Sequence, residues 1–105
     1  MTEGDFSRYL AFEWDARNTE KLWLKHRVSP CECEQIFFNQ PLVVVPDESH
    51  SAAEPRFFVL GRTDARRLLL VVFTPRRNLV RIISARDMSR AEREVYRSHE
   101  ENPED

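Results

Sequence analysis

The sequence predicts an α+β domain: a mainly antiparallel sheet with two helices before it and one after, in the order β-α-α-β-β-β-β-α. Three observations carry this expectation. Ser29-Pro30-Cys31-Glu32 and Ser89-Arg90-Ala91-Glu92 read as capping boxes, each marking the start of a helix. Between Pro41 and Ser84 the hydrophobic period shifts to runs of strand length separated by short polar links. Within that region Leu68 to Phe73 is unbroken apolar sequence, as expected of a central strand covered on both faces.

Each element has a local reason. In YLAFEWD (9–15), Leu10, Phe12 and Trp14 share one face of a strand, and Tyr9, Ala11 and Glu13 share the other. Asp15 can cap a helix to about Lys25. Ser29 as N-cap, Pro30 at the first helical position and Glu32 three residues on start the second helix. Cys33, Ile36 and Phe37 give it a core stripe, and Pro41 ends it near Asn39. Four strands follow at PLVVVP (41–46), RFFVLG (56–61), RLLLVVFT (67–74) and LVRIIS (79–84). Their short connections favour an antiparallel meander. In the last helix Met88, Ala91 and Val95 are expected to face the core, with Arg90, Arg93 and Arg97 as a separate basic stripe.

A chain of 105 residues, 41% hydrophobic and 32% charged, has the size and balance of one globular domain. Its ordered core is expected over about 9–98, with an acidic tail at 99–105. No stretch approaches the ~20 apolar residues of a membrane span, and the acidic start MTEGDF is unlike a signal peptide. A cytoplasmic location is the expectation. Cys31 and Cys33, two apart on a helix, are read as reduced, with Cys33 on the core side.

The net charge of -2 conceals an asymmetry. Residues 1–55 carry five Lys or Arg against ten Asp or Glu, whereas residues 56–99 carry eleven Arg against four acids. Fourteen of the sixteen basic residues are arginine, whose planar fork grips phosphate in two places at once. The competing reading of the same composition is a salt-bridged surface. Gly4 and Gly61 are the only glycines, so no Gly-rich phosphate loop exists, and the three histidines lack metal-ligand spacing. No metal and no cofactor are expected.

An anion-binding chemistry fits these residues. Holding a phosphate through a transfer reaction needs cations around it, a base for the attacking hydroxyl and an acid for the leaving oxygen. Arg56, Arg81 and Arg86 are candidate clamps. Strand parity places Arg81 and Arg86 on opposite faces unless the strand ends or bulges near Ser84. Alternatively Arg86 pairs with Glu92, Arg56 pairs with Glu54, and Arg81 lies on an exposed sheet face. His26, at a helix C-terminus beside Lys25, could transfer protons or simply cap the helix. His50 could shuttle protons or play no part. Tyr96 could stack a base or pack the core.

Four blocks, FEWD (12–15), KHRVS (25–29), DESHSAAEPRF…G (47–61) and RIISARDMSRAEREVY (81–96), resemble the BrnT family of bacterial toxins. The match covers about Phe12 to Arg97 and departs from the family pattern at Asn18, Leu22 and Arg27. The resemblance implies a RelE-like ribonuclease fold and a toxin of a type II toxin–antitoxin pair, cutting mRNA without a metal. It implies a BrnA-like ribbon-helix-helix antitoxin as partner, with operator DNA reached only through that antitoxin. Site residues expected on this basis are Lys25, His26, Arg56, Arg81 and Arg86 for catalysis, and Glu54, Arg90, Arg93 and Tyr96 for substrate binding. The alternative is a non-enzymatic module that binds its antitoxin as co-repressor with little nuclease activity. A DNA binder acting alone is disfavoured, because no helix-turn-helix pattern is evident.

Overall fold

The structure, a computed structural model, describes residues 11–48 and 54–101. Strand β1 (Ala11–Glu13) leads into helices α1 (Ala16–His26) and α2 (Pro30–Gln35) and a 3-10 turn at Ile36–Phe38. Strands β2 (Val43–Pro46), β3 (Phe57–Arg62), β4 (Leu68–Arg76) and β5 (Leu79–Asp87) follow, and α3 (Arg90–Glu101) closes the order. The strands form one sheet, β1-β5-β4-β3-β2. The last four pair antiparallel as a meander. β1 instead runs parallel to the start of β5, with Glu13 beside Arg81, so the sheet is mixed.

The helix starts follow from side-chain caps. Asp15 Oδ1 accepts from the Arg17 N–H at 2.9 Å. Ser29 and Glu32 form a reciprocal capping box, and Ser89 and Glu92 repeat the two bonds at the head of α3. Each such cap contributes on the order of 1 kcal/mol. α3 runs past the expected limit of 98 to Glu101.

One sheet face is covered by α1, α2 and the 3-10 turn. Leu22, Cys33, Ile36 and Phe37 pack there on Val59, Leu69, Val71, Val80, Ile82 and Ala85. Full burial of each such large side chain stabilises the fold by roughly 1.5–3 kcal/mol. Gly61 permits the close approach: a Cβ there would sit 2.8 Å from Ile36 Cβ. Cys33 is buried in this core, which pushes its thiol up to about 12, and Cys31 is exposed.

Among the described residues, the opposite face is covered at one end by α3, which lays Tyr96 over Leu60 and Leu70 with Met88 beside them. The expected stripe is corrected here. Met88 is buried, but Ala91 is exposed and Val95 is 49% exposed, whereas Tyr96 is fully buried. The helix is rotated so that the Tyr96 ring lies on the sheet and its hydroxyl donates to the Pro41 carbonyl at 2.7 Å.

Two backbone features shape the surface. The β4–β5 register runs Val72 to Ser84 and then Phe73 to Ile82, leaving Ile83 as an extra residue, a β-bulge. Arg27, Arg66 and Arg77 adopt left-handed φ of 55°, 72° and 57°, a conformation that costs an L-residue roughly 1–2 kcal/mol. No described helix is long and apolar enough to cross a membrane.

Candidate functional site

The bulge decides which arginines share a face. Val80, Ile82 and Ala85 point into the larger core. The alternation therefore sends Arg81 to the other face, and the extra residue at Ile83 restores Arg86 to that same side. This is the face that α3 covers only in part. Val72, Arg81, Ser84 and Arg86 on it stay partly exposed.

At the β1 end, Arg81 meets two carboxylates. Its Nη1 donates to Glu13 Oε2 at 3.0 Å, and its Nη2 lies 3.9 Å from Asp15 Oδ2. Arg76, from the end of β4, donates from Nε to Glu54 at 3.0 Å, with its Nη1 3.9 Å from Glu13. Carboxylates and guanidiniums alternate along this side of the sheet. Thr74, the register partner of Arg81, is buried and donates through its hydroxyl to the Pro55 carbonyl. Continuing the β3–β4 ladder one residue past Phe57 brings Arg56 to the same row. Two strand spacings then separate Arg56 from Arg81, about 10 Å.

A hollow of about 230 Å³ opens where α1 passes the bulge. Arg81 lines it with Arg17, Lys21, Asp15 and Asn18. Asn18 anchors the helix by donating from Nδ2 to the carbonyls of Ile82 and Ile83 at 2.9 and 3.1 Å, groups that β1 does not pair. Arg17, Lys21 and Lys25 are four apart and make one cationic line along α1. This spacing is visible in the sequence and is the signal by which Arg17 and Lys21 could have been found.

The opposite end of β5 is organised by Arg67. Its Nε and Nη2 donate to the two oxygens of Asp87 at 2.7 and 3.1 Å. Its Nη1 reaches the Arg27 carbonyl at 2.7 Å and Glu32, and its Nη2 also reaches the His26 carbonyl at 3.0 Å. Burial alone would raise the Glu32 carboxyl, but the Ser29 N–H and Arg67 hold it below its ordinary value. The Arg67 hydrogen bond likewise lowers Asp87.

Among the described residues, no three His, Cys, Asp or Glu side chains are grouped so as to hold a metal ion. Residues 14–92 match the family described as "Ribonuclease toxin, BrnT, of type II toxin-antitoxin system". The chain belongs to the BrnT family. Its fold is similar to a 1.1 Å crystal structure of the Brucella abortus ribonuclease toxin, BrnT. The TM-score is 0.58 at 21% identity, over 75% of this chain and 96% of that one. No curated protein matches the chain.

Against the BrnT assignment, the expected site residues fall into separate groups. Arg56, Glu54 and Arg81 stand toward one end of the open face. Arg86 is on that face but forms a two-pronged pair with Glu92 at 2.9 Å, the salt-bridge alternative weighed for it. Lys25 and His26 end α1 near Arg67 and Asp87. Six residues of β5 separate Asp87 from Arg81, about 20 Å, so His26 and Arg81 do not meet at one phosphate. Arg90 is exposed at the start of α3, and Arg93 donates to the Met88 carbonyl at 3.0 Å. Tyr96 takes the core role: its ring has no exposed face for a base, and burial pushes its hydroxyl up to about 12. His50 lies outside the described residues.

Proposed function

We propose that this BrnT-family chain is a metal-independent endoribonuclease whose cleavage centre surrounds Arg81. The single observation that carries this reading is the hollow in which Arg81, Arg17 and Lys21 flank the carboxylate of Asp15, with Glu13 hydrogen-bonded to Arg81 beside it. A phosphodiester seated there gains cations where negative charge builds in the transition state. Glu13, hydrogen-bonded to the clamp itself, is placed to take the proton from the 2'-OH. That oxygen attacks the adjacent phosphorus and the 5'-oxygen leaves with a proton, which Lys21 can supply. The products are a 2',3'-cyclic phosphate and a 5'-hydroxyl end, and DNA is spared because it lacks the nucleophile.

The family assignment supports a place in a type II toxin–antitoxin pair. The partner is then a small BrnA-like ribbon-helix-helix antitoxin that neutralises the toxin and carries it to operator DNA in the cytoplasm. A second reading rests on the engagement of Arg81 by Glu13 and of Arg86 by Glu92. Ion-paired arginines suit a binding module and co-repressor with little nuclease activity.

Purified protein incubated with single-stranded RNA and a chelator separates the two. Cleavage with cyclic-phosphate ends, reduced on the order of 10²-fold in Arg81→Ala, is the expected result. Intact RNA under conditions where the antitoxin still binds would favour the co-repressor, and cleavage abolished by the chelator would end the metal-free mechanism.

A further inference from the structure

A second cationic hollow, of about 160 Å³, lies beyond α3 at the β3–β4 turn. Arg62 and Arg66 line it from the turn, and Arg93 and Arg97 from α3, over a floor of Leu68 and the Tyr96 ring. Among the described residues, one carboxylate lines the hollow with these four guanidiniums: Glu100, 3.6 Å from Arg62. Arg93 is held by its bond to the Met88 carbonyl. Among the described residues neither the Arg66 nor the Arg97 side chain has a hydrogen-bond or ion-pair partner.

The turn is built to present Arg66. Thr63 and Arg67 exchange backbone and hydroxyl hydrogen bonds at 2.9 Å, and the Arg66 N–H closes on the Thr63 carbonyl. Arg66 itself stands at φ 72°, where glycine or asparagine would sit without strain. A guanidinium kept in that conformation beside three others, with no counter-charge of its own among the described residues, is arranged for an external anion.

We propose that this hollow binds phosphate groups of an RNA strand away from the scissile bond; the proposal rests on the ribonuclease reading. Arg62 and Arg81 pair on β4 with Leu68 and Thr74, six residues apart. The hollow therefore lies about 20 Å along the sheet from Arg81, a span of several nucleotides. An acidic protein segment is the lesser fit. The apolar lining is only Leu68 and a Tyr96 ring with no exposed surface, so nothing offers the anchor pocket that protein interfaces rely on. A phosphodiester chain needs no such anchor.

The test uses the full chain and a fully 2'-O-methylated RNA of about 12 nucleotides, long enough to span both hollows and unable to be cut. The paired substitutions Arg66→Gln and Arg97→Gln, in one variant, should reduce the salt slope of log K by about 1.4, two phosphate contacts on a single strand. Arg66→Lys with Arg97→Lys should restore most of that slope, which excludes misfolding as the cause. Cleavage of a dinucleotide, too short to reach the hollow, should stay at the parent rate while KM for long RNA rises. RNA affinity and slope equal to the parent's would overturn the proposal yet leave the ribonuclease reading standing. Unchanged RNA binding with weakened antitoxin binding would assign the hollow to an acidic protein instead. Failure of the parent chain itself to bind RNA would overturn both.

Discussion

Glu13 Oε2 accepts from Arg81 Nη1 at 3.0 Å across the parallel pairing of β1 with β5. Both side chains are about one-third exposed, so the contact is within reach of a substrate. If Glu13 takes the 2'-OH proton, Glu13→Gln should lower single-turnover RNA cleavage on the order of 10²-fold or more. Binding of an uncleavable RNA should be no weaker, because the neutral amide leaves Arg81 with less counter-charge. Weaker binding together with an unchanged cleavage rate would contradict the assignment.

Arg67→Ala should be the most costly single loss of an arginine. The side chain joins β5 through Asp87, α2 through Glu32, and the C-terminal carbonyls of α1 through His26 and Arg27. Removing it leaves charged and backbone acceptors at three elements without their donor, a loss of about 2 kcal/mol. A urea titration should show the midpoint falling with the slope preserved.

Acid should weaken the fold through three carboxyls. The Arg86 hydrogen bond holds Glu92 below its ordinary 4.5, and Arg67 holds Asp87 below 3.8. Glu32 is lowered by Ser29 and Arg67 despite a burial effect in the opposite direction. A carboxyl that binds its proton more weakly when folded stabilises the native state above its unfolded value. That contribution fades as pH drops through the lower folded value. Urea midpoints should therefore decline between about pH 5 and about pH 3, and Arg67→Ala should flatten the decline.

Gly61→Ala tests the packing of β3 against the 3-10 turn. The added methyl would meet Ile36 Cβ at 2.8 Å and the Ile36 carbonyl oxygen at 3.3 Å. Backbone has little room to yield, so overpacking should cost roughly 1–3 kcal/mol. Thermal unfolding reads it directly, and an unchanged Tm would show that the turn shifts freely.

The element order was legible because it rests on local chemistry: Asp15, Ser29 and Ser89 announce helices with their own side chains, and Leu68 to Phe73 needs cover on both faces. What was illegible depends on partners distant in sequence. Nothing in FEWD says that its strand pairs parallel to residues 79–81. The choice of Tyr96 over Val95 for the core depends on a hydroxyl reaching Pro41, 55 residues away. The candidate site divides in the same way. Arg81 could be singled out as a charge inside an apolar strand. Its company of Glu13, Asp15, Arg17 and Lys21 follows only once β1 and α1 lie along β5.

Ile83 has a bearing on how relatives of this chain should be compared. Because the residue count between Arg81 and Arg86 sets their sidedness, an alignment gap placed there would not trim a loop. It would mark a homologue in which one of the two arginines has changed sides of the sheet, with the same letters in the same order but a different surface.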